Sequence, residues 1–494
     1  MDTYKVININ PSIVLVQTSQ IGNRLDAGNY RQDYIKNREL IRKSTSGSKK
    51  LGDLLKQPSF RGKGLPINDS GTIPVIKVRN ITDIGITGPY DNTDLINVSS
   101  SDRAWVKFDD VLLTVSGLGS SGKADLFWFD EPMLADGHIA ILRCTGALDN
   151  GYLKAFLSSP YGKKLSDQDT IGSTGQIELY GDYIDNFDIP YPDPKIQAYI
   201  GDKVRLAEKC REEANRLYET SKIILTDQIG LENISSTFQE VSSQAIYMHN
   251  GSFAVQIEPR IVTDRLDAQG YNPELLSILS KLGQAKCKFV TLDNLGHFSP
   301  ASQGTINGES SDYFVSILHV DDKGVIDWQE AKRHKPITRG SRVLYNDILI
   351  SKLNPKEKRI GVFDCKGSAR AGCSSEFSLF KAKKYPYYLA FVLSSHPTHQ
   401  QLVSLGRGTS SSRRRIDERD LKNVFVPIVN DDRLIDEYIH QAVLLWQKSR
   451  ELVFQAIRDI EHLIEGNLET SAILSGSLHS QNWEEILNEI NHHG

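Results

Sequence analysis

The chain has 494 residues, 58 Lys+Arg against 62 Asp+Glu, and a formal net charge of −4, which argues against a protein that coats nucleic acid indiscriminately. Its hydrophobic content of 39% suffices for real cores, and no apolar run approaches the ~20 residues of a membrane span. Cys144, Cys210, Cys287, Cys365 and Cys373 include no C-x-x-C pair, which argues against a disulfide framework or zinc ribbon. MDTYKVININ lacks a signal pattern, so the chain reads as cytoplasmic.

Taken in order, the first element is the heptapeptide Arg24-Leu-Asp-Ala-Gly-Asn-Tyr30, then a short helix over Tyr34 to Arg42. Period-two alternation predicts strands at Ile73 to Ile81, Val106 to Val115 and His138 to Leu142, with a helix after them over Asn150 to Leu165. From Pro194 to Ile229 the period changes: Ile196, Ile200, Ala207, Cys210, Ala214, Leu217 and Ile224 fall at heptad-like positions. Gly230 closes this long helix as a C-terminal cap. A linker-like stretch over 231–250 comes next.

The heptapeptide then returns as Arg265-Leu-Asp-Ala-Gln-Gly-Tyr271, 265 − 24 = 241 residues later. Four more anchors recur in the same order. Phe108 to Leu113 matches Tyr345 to Ile350, Tyr152 to Ser159 matches Tyr388 to Ser395, Asn186 to Pro190 matches Asn423 to Pro427, and a long helix comes after each. A repeat of this length is a duplicated domain; solenoid units run to roughly 20–50 residues. The second copy has a helix at Pro273 to Leu282, strands at Tyr313 to Val320, Val343 to Lys352 and Phe377 to Ala382, and a helix at Tyr387 to Leu405. Its long helix carries Ile439, Trp446, Val453 and Ile460 seven apart, with Ala442, Ala456 and Leu463 on the alternate seam and Gly466 at its end. The fold class is therefore α+β, two similar globular domains with two long helices of coiled-coil character. The helices most simply pack on each other, with small Ala207 and Ala214 facing Trp446; the alternative is that each packs on its own domain.

Several motifs suggest chemistry and fail a physical test. Gly117-Leu-Gly-Ser-Ser-Gly-Lys123 fits a phosphate loop except that Ala124 lacks the magnesium-binding hydroxyl. The residues after it, Ala124 to Phe129, are strand-like, whereas a phosphate loop feeds a helix N-terminus; its glycines suit a hairpin turn. Glu330-Ala-Lys332 is nuclease-like without an upstream acidic partner, and His396-Pro-Thr-His399 lacks a third metal ligand. No catalytic constellation emerges.

Polar loops remain, at matched places with different contents: Gln168 to Gln176 in the first copy, Gly406 to Arg415 in the second. Residues 331–385 also hold fourteen Lys/Arg against four Asp/Glu, the local basic footprint of a nucleic-acid reader. The candidate contacts are Arg79, Asn80, Lys123, Ser173, Thr174 and Gln176 in the first copy. In the second they are Lys352, Asn354, Lys358, Arg359, Arg407, Thr409, Ser410, Arg413 and Arg414. Such side chains bond phosphates and base edges.

The duplicated order of domain and long helix resembles the specificity subunits of type I restriction–modification systems. The likeness is carried by Asp110 to Leu113 and Asp347 to Ile350, by Tyr152 and Tyr388, by the Gly/Ser/Thr loops, and by Ile189-Pro190 and Val426-Pro427. It extends to about Gly466. The heptapeptide opening is also similar to that of specificity subunits serving type IIB-like enzymes. The resemblance implies target recognition domains at 1–192 and 251–430, spacer helices at 193–230 and 431–466 packed antiparallel with pseudo-twofold symmetry, and a tail at 467–494. It also implies a non-catalytic subunit that reads a bipartite, asymmetric site on double-stranded DNA. Two methyltransferase subunits would dock on it and motor–nuclease subunits could add. S-adenosylmethionine, ATP and Mg would belong to those partners, with no cofactor or metal in this chain. The competing readings are a nucleotide-binding enzyme using Gly117 to Lys123 and a coiled-coil scaffold. The tail, with an amphipathic turn at Trp483 to Ile490, lies outside the shared pattern.

Overall fold

A computed structural model describes residue 16 and residues 24–493 apart from 45, 83–84, 100–101, 174–175, 231–244, 248–252, 256–267, 272, 301–302, 368–369 and 409–412. The chain divides into two units, 1–210 with 448–488 and 211–447 with 489–494. Each unit thus holds a globular part and half of each long helix.

In the first unit the opening motif is a clamp. Asp26 accepts from Asn29 N and caps the short turn Ala27–Tyr30, and Tyr30 donates back to Arg24 O. Arg24 in turn donates to Gln168 O and Thr170 O at 3.1 and 3.2 Å, carbonyls left unpaired at the end of helix Pro160–Asp169. Helix Gln32–Lys43 is fastened to the same place by Arg38, which binds Gln168 and Asp169 at 2.7 and 2.6 Å. The motif is structural. Its second copy, Arg265 to Asp267, and most of the 231–250 linker lie outside the described residues.

The centre of the first unit is a four-stranded sheet in the order Phe60–Arg61, Ile139–Leu142, Val111–Thr114, Ala124–Leu126. The second unit repeats it as Gly296–Phe298, Phe377–Ala382, Asp347–Ser351, Ile360–Val362. The residues of Val111–Thr114 and Asp347–Ser351 are buried throughout, as a centre strand covered on both faces requires. Val106 to Val115 and Val343 to Lys352 are therefore not single strands. A turn interrupts each, where Asp109 and Asn346 take φ of 69° and 64°. Asp110 closes the first turn on Lys107 N and Asp347 closes the second on Leu344 N, both at 2.8 Å. That bond explains the aspartate in both strand motifs. Burial pushes both carboxyls above the usual range, Asp110 even with Arg143 against it at 3.0 Å.

The predicted second helices each break in two, Asn150–Ser158 then Pro160–Asp169, and Pro386–Ser394 then Thr398–Leu405, because proline cannot continue a helix past its first turn. Their buried tyrosines do matched work. Tyr152 donates to Pro190 O at 2.9 Å and Tyr388 to Pro427 O at 2.7 Å, which ties the helix to the last strand in each unit. At Gly151 the helix meets the first long helix so closely that a Cβ would lie 2.6 Å from Gly201 O.

The long helices span Pro194–Ile229 and Asp432–Glu465. Gly230 and Gly466 come after them with φ of 64° and 79°, the left-handed cap that glycine supplies cheaply. In the second unit Gln228 bonds Asp431 and Tyr218 packs edge-on against Trp446, so rising numbers on one helix meet falling numbers on the other. They are antiparallel there. In the first unit Lys203 pairs with Asp459, and Ile196, Ile200, Val204, Ala456, Ile460 and Leu463 enter one core with the sheet and short helices. The stripe serves helix partner and domain together, so both expected modes of packing occur. Ile196, Ile200, Ala207, Leu217, Ile439, Trp446 and Ile460 are buried as the heptad requires. Val453 departs from it: it is half-buried while Leu452 is 1% exposed, the buried line shifting by one residue. The neighbour of Trp446 is the Tyr218 ring, with Lys323 Nζ 4.6 Å from the Trp446 centroid. The tail forms helices Thr470–Ser475 and Trp483–His493; Ile473 joins the first core, and Lys209 lies over the Trp483 ring at 4.6 Å.

Candidate nucleic-acid interface

Each unit brings the turn that leaves its central strand against the loop that leaves its second short helix. In the first unit an antiparallel bridge joins Ser116 to Glu178, flanked by Gly117 N to Ile177 O and Leu179 N to Val115 O. In the second the bridge joins Leu353 to Arg415, flanked by Asn354 N to Arg414 O and Ile416 N to Lys352 O. The two frames match down to these bonds.

The contents differ. In the first unit Gly117, Gly119 and Gly122 take φ of 91°, 72° and 86°, and Thr114 Oγ1 accepts from Lys123 N at 2.9 Å and donates to Ser120 O. Ala124–Leu126 then pairs antiparallel with Val111–Leu113. A hairpin is the result, with no helix N-terminus for a phosphate, and the nucleotide-loop reading fails on that geometry. Lys123 is half-buried and has no ion-pair partner among the described residues. Ser173 lies across from Gln176 in the antiparallel pair Ile171–Ser173 and Gln176–Glu178; Thr174 lies outside the described residues.

In the second unit the same zipped loops carry a cluster of cations. Asn354 and Lys358 bracket the turn Pro355–Glu357 in left-handed conformation, φ 48° and 54°. His399 supports it from below: its Nε2 donates to Pro355 O at 2.8 Å, and burial holds the imidazole below its ordinary pKa, hence neutral. Arg407 pairs with Asp420 at 2.7 Å and Arg415 with Glu376 at 2.6 Å. Arg359 donates to Ile317 O at 2.9 Å, with Glu357 at 4.0 Å. Lys352, Lys358, Arg413 and Arg414, joined by Lys356, have no ion-pair partner among the described residues. Arg414 also buries an Nε with no hydrogen-bond partner. Thr409 and Ser410 lie outside the described residues.

Two expectations need correction or relocation. Asn80 is 2% exposed, its amide nitrogen donating to Thr87 O and Pro89 O and its oxygen accepting from Lys77 N. With every polar atom of its side chain committed, it builds a turn and offers nothing to a ligand. Arg79 sits on that same turn, apart from the zipped loops in sequence, and pairs with Asp91. Glu330 lies on helix Trp328–Arg333 and pairs with Arg333 at 3.0 Å, while Ala331 is buried; the nuclease-like tripeptide is a helix surface. Lys356 and the reach of Arg359 to the 317 carbonyl escape a reading of the sequence, although Lys356 lies inside the basic run Lys352 to Arg359. Among the described residues no group of His, Cys, Asp and Glu could hold a metal, no cysteine forms a disulfide, and no helix is long and apolar enough to cross a membrane.

No protein-family model and no curated protein matches the chain. Among solved structures it is similar to the type I restriction–modification system S subunit from M. genitalium, with 11% identity, 91% of this chain and 96% of that one covered, and a TM-score of 0.38. It is also similar to the HsdS subunit from Thermoanaerobacter tengcongensis, with 16% identity, 85% and 97% covered, and a TM-score of 0.28. A chain from a structure of type I R-M complex assembly and conformational transition has 15% identity, 85% and 98% covered, and a TM-score of 0.29.

Proposed function

We propose that this chain is the non-catalytic DNA-specificity subunit of a type I restriction–modification complex. Each unit reads one half of a bipartite, asymmetric site on double-stranded DNA. The long helices set the gap between the halves and present docking surfaces to two methyltransferase subunits, to which motor–nuclease subunits add. S-adenosylmethionine, and ATP with Mg, are held by those partners. One observation carries the reading. Two frames match bond for bond, at Ser116–Glu178 and Leu353–Arg415, while the loops they hold differ in chemistry. A pair of readers keeps the frame and varies the surface. Lys and Arg with no ion-pair partner among the described residues supply phosphate contacts and base contacts together.

The test is retention of duplex DNA by the full-length chain from a random-sequence pool, at rising salt. Sequence-selective retention that weakens steeply with salt is expected. Equal retention of all sequences, or none at low salt, would sink the proposal in favour of a scaffold.

A further inference from the structure

The turns Lys77–Asn80 and Ser316–His319 occupy the same place in the two frames. The strand before each runs parallel to its neighbour: Val75 lies opposite Leu134 and Ile76 opposite Ala135, and in the second unit Phe314 lies opposite Gly372 and Val315 opposite Cys373. The next main-chain bond repeats too, Asp136 N to Ile76 O and Ser374 N to Val315 O, both 2.9 Å. Each turn is one 3-10 winding closed by the side chain of its last residue on the amide of its first. Asn80 Oδ1 accepts from Lys77 N at 2.9 Å, and His319 Nδ1 accepts from Ser316 N at 3.1 Å. The residues that build the turn are matched; the residue at its tip is not. Arg79 stands in one and Leu318 in the other, the Arg79 side chain 54% exposed and Leu318 80% exposed.

A lone exposed leucine needs no explanation. Leu318 is set apart by its position. Arg359, from the cationic turn, donates to the carbonyl of the adjacent Ile317, so the tip is fastened beside the loops proposed to meet DNA. In the first unit Asp91 binds both Lys77 and Arg79. One carboxylate against two cations orients the guanidinium and leaves a net positive charge.

We propose that the two tips are matched base-reading positions, an inference that rests on the DNA-reading role proposed above. Arg79 suits guanine, whose O6 and N7 accept a guanidinium bidentately, and Leu318 suits the methyl group of thymine. The tips would then make the two half-sites unlike at corresponding positions.

The full-length chain and its Leu318→Arg and Arg79→Leu variants are each used to enrich duplexes from a random pool. Leu318→Arg should turn a thymine preference toward guanine at one position of one half-site, by roughly tenfold in enrichment ratio, and leave the other half-site unchanged. Arg79→Leu should do the converse at the other half-site. Both tips are exposed, so melting temperatures should match the parent. Unchanged preferences with selective binding retained would overturn the inference and leave the DNA-reading role standing. A uniform loss across all sequences would mark a merely structural turn and overturn it as well. A parent chain that enriches no sequence overturns the DNA-reading role and the inference with it.

Discussion

Replacing Lys358, Arg413 and Arg414 together by alanine should flatten the salt dependence of DNA binding by a calculable amount. Together with Lys352 and Lys356 they are the cations of the second unit's zipped loops that have no ion-pair partner among the described residues. Each phosphate neutralised on duplex DNA contributes about −0.9 to the slope of log K against log salt, so five contacts give roughly −4.5. Raising salt fourfold then costs roughly 500-fold in affinity through these five contacts alone, and removing three of them shrinks that loss by about 40-fold. Arg407→Ala with Arg415→Ala is the control. These two are already neutralised by Asp420 and Glu376, so their loss should move the slope by less than about one. The assay is fluorescence anisotropy on a duplex carrying the selected site, between about 50 and 200 mM salt, a range over which such slopes are compared. An unchanged slope in the triple variant, or equal flattening in both sets, would refute the assignment of free cations to phosphates.

Three further outcomes rest on particular contacts. Asp436 accepts from Tyr387 N and Tyr388 N, and burial pushes its carboxyl up to about 6. A raised folded-state value means its stabilising neutral form is fully present below the ordinary 3.8 and is lost as pH rises through 6. Asp436→Asn keeps the acceptor without the charge, so it should be more stable than the parent at about pH 7–8 by up to about 3 kcal/mol, the gain fading near pH 4; a pH-independent difference in urea melts would contradict this. Tyr152→Phe and Tyr388→Phe each strand a proline carbonyl, Pro190 O or Pro427 O, and should each cost about 1–3 kcal/mol; a change within error in either would show that the pair is not equivalent. Removing one matched heptad from both long helices shortens them by about 10 Å. The preferred gap between half-sites should fall by about three base pairs at ~3.4 Å each with both half-sites kept, and an unchanged gap would exclude a ruler.

The duplication and the main elements were legible because their signals are local and repeated. Heptad spacing marks the long helices, buried apolar runs mark Val111–Thr114 and Asp347–Ser351, and glycine marks both helix ends. Features that depend on distant partners were not legible. Arg24 finds its acceptors at Gln168 and Thr170, and nothing near the heptapeptide points there. Asn80 has the look of an exposed polar reader, yet three backbone groups claim it, at Lys77, Thr87 and Pro89. Val453 keeps the heptad in sequence, but Leu452 takes the buried place. The candidate loops are found by position in the repeat, and which of their cations stay unpaired depends on Asp420 and Glu376, supplied from elsewhere in the fold.

The central claim is that one chain reads two unlike half-sites through matched frames. Mapping methylated bases across the genome of cells expressing the chain with an adenine methyltransferase partner tests it most directly. The predicted result is a modified motif of two different half-sites separated by a fixed, unread gap, lost when the chain is omitted. An undivided palindromic motif, or modification independent of the chain, would contradict it.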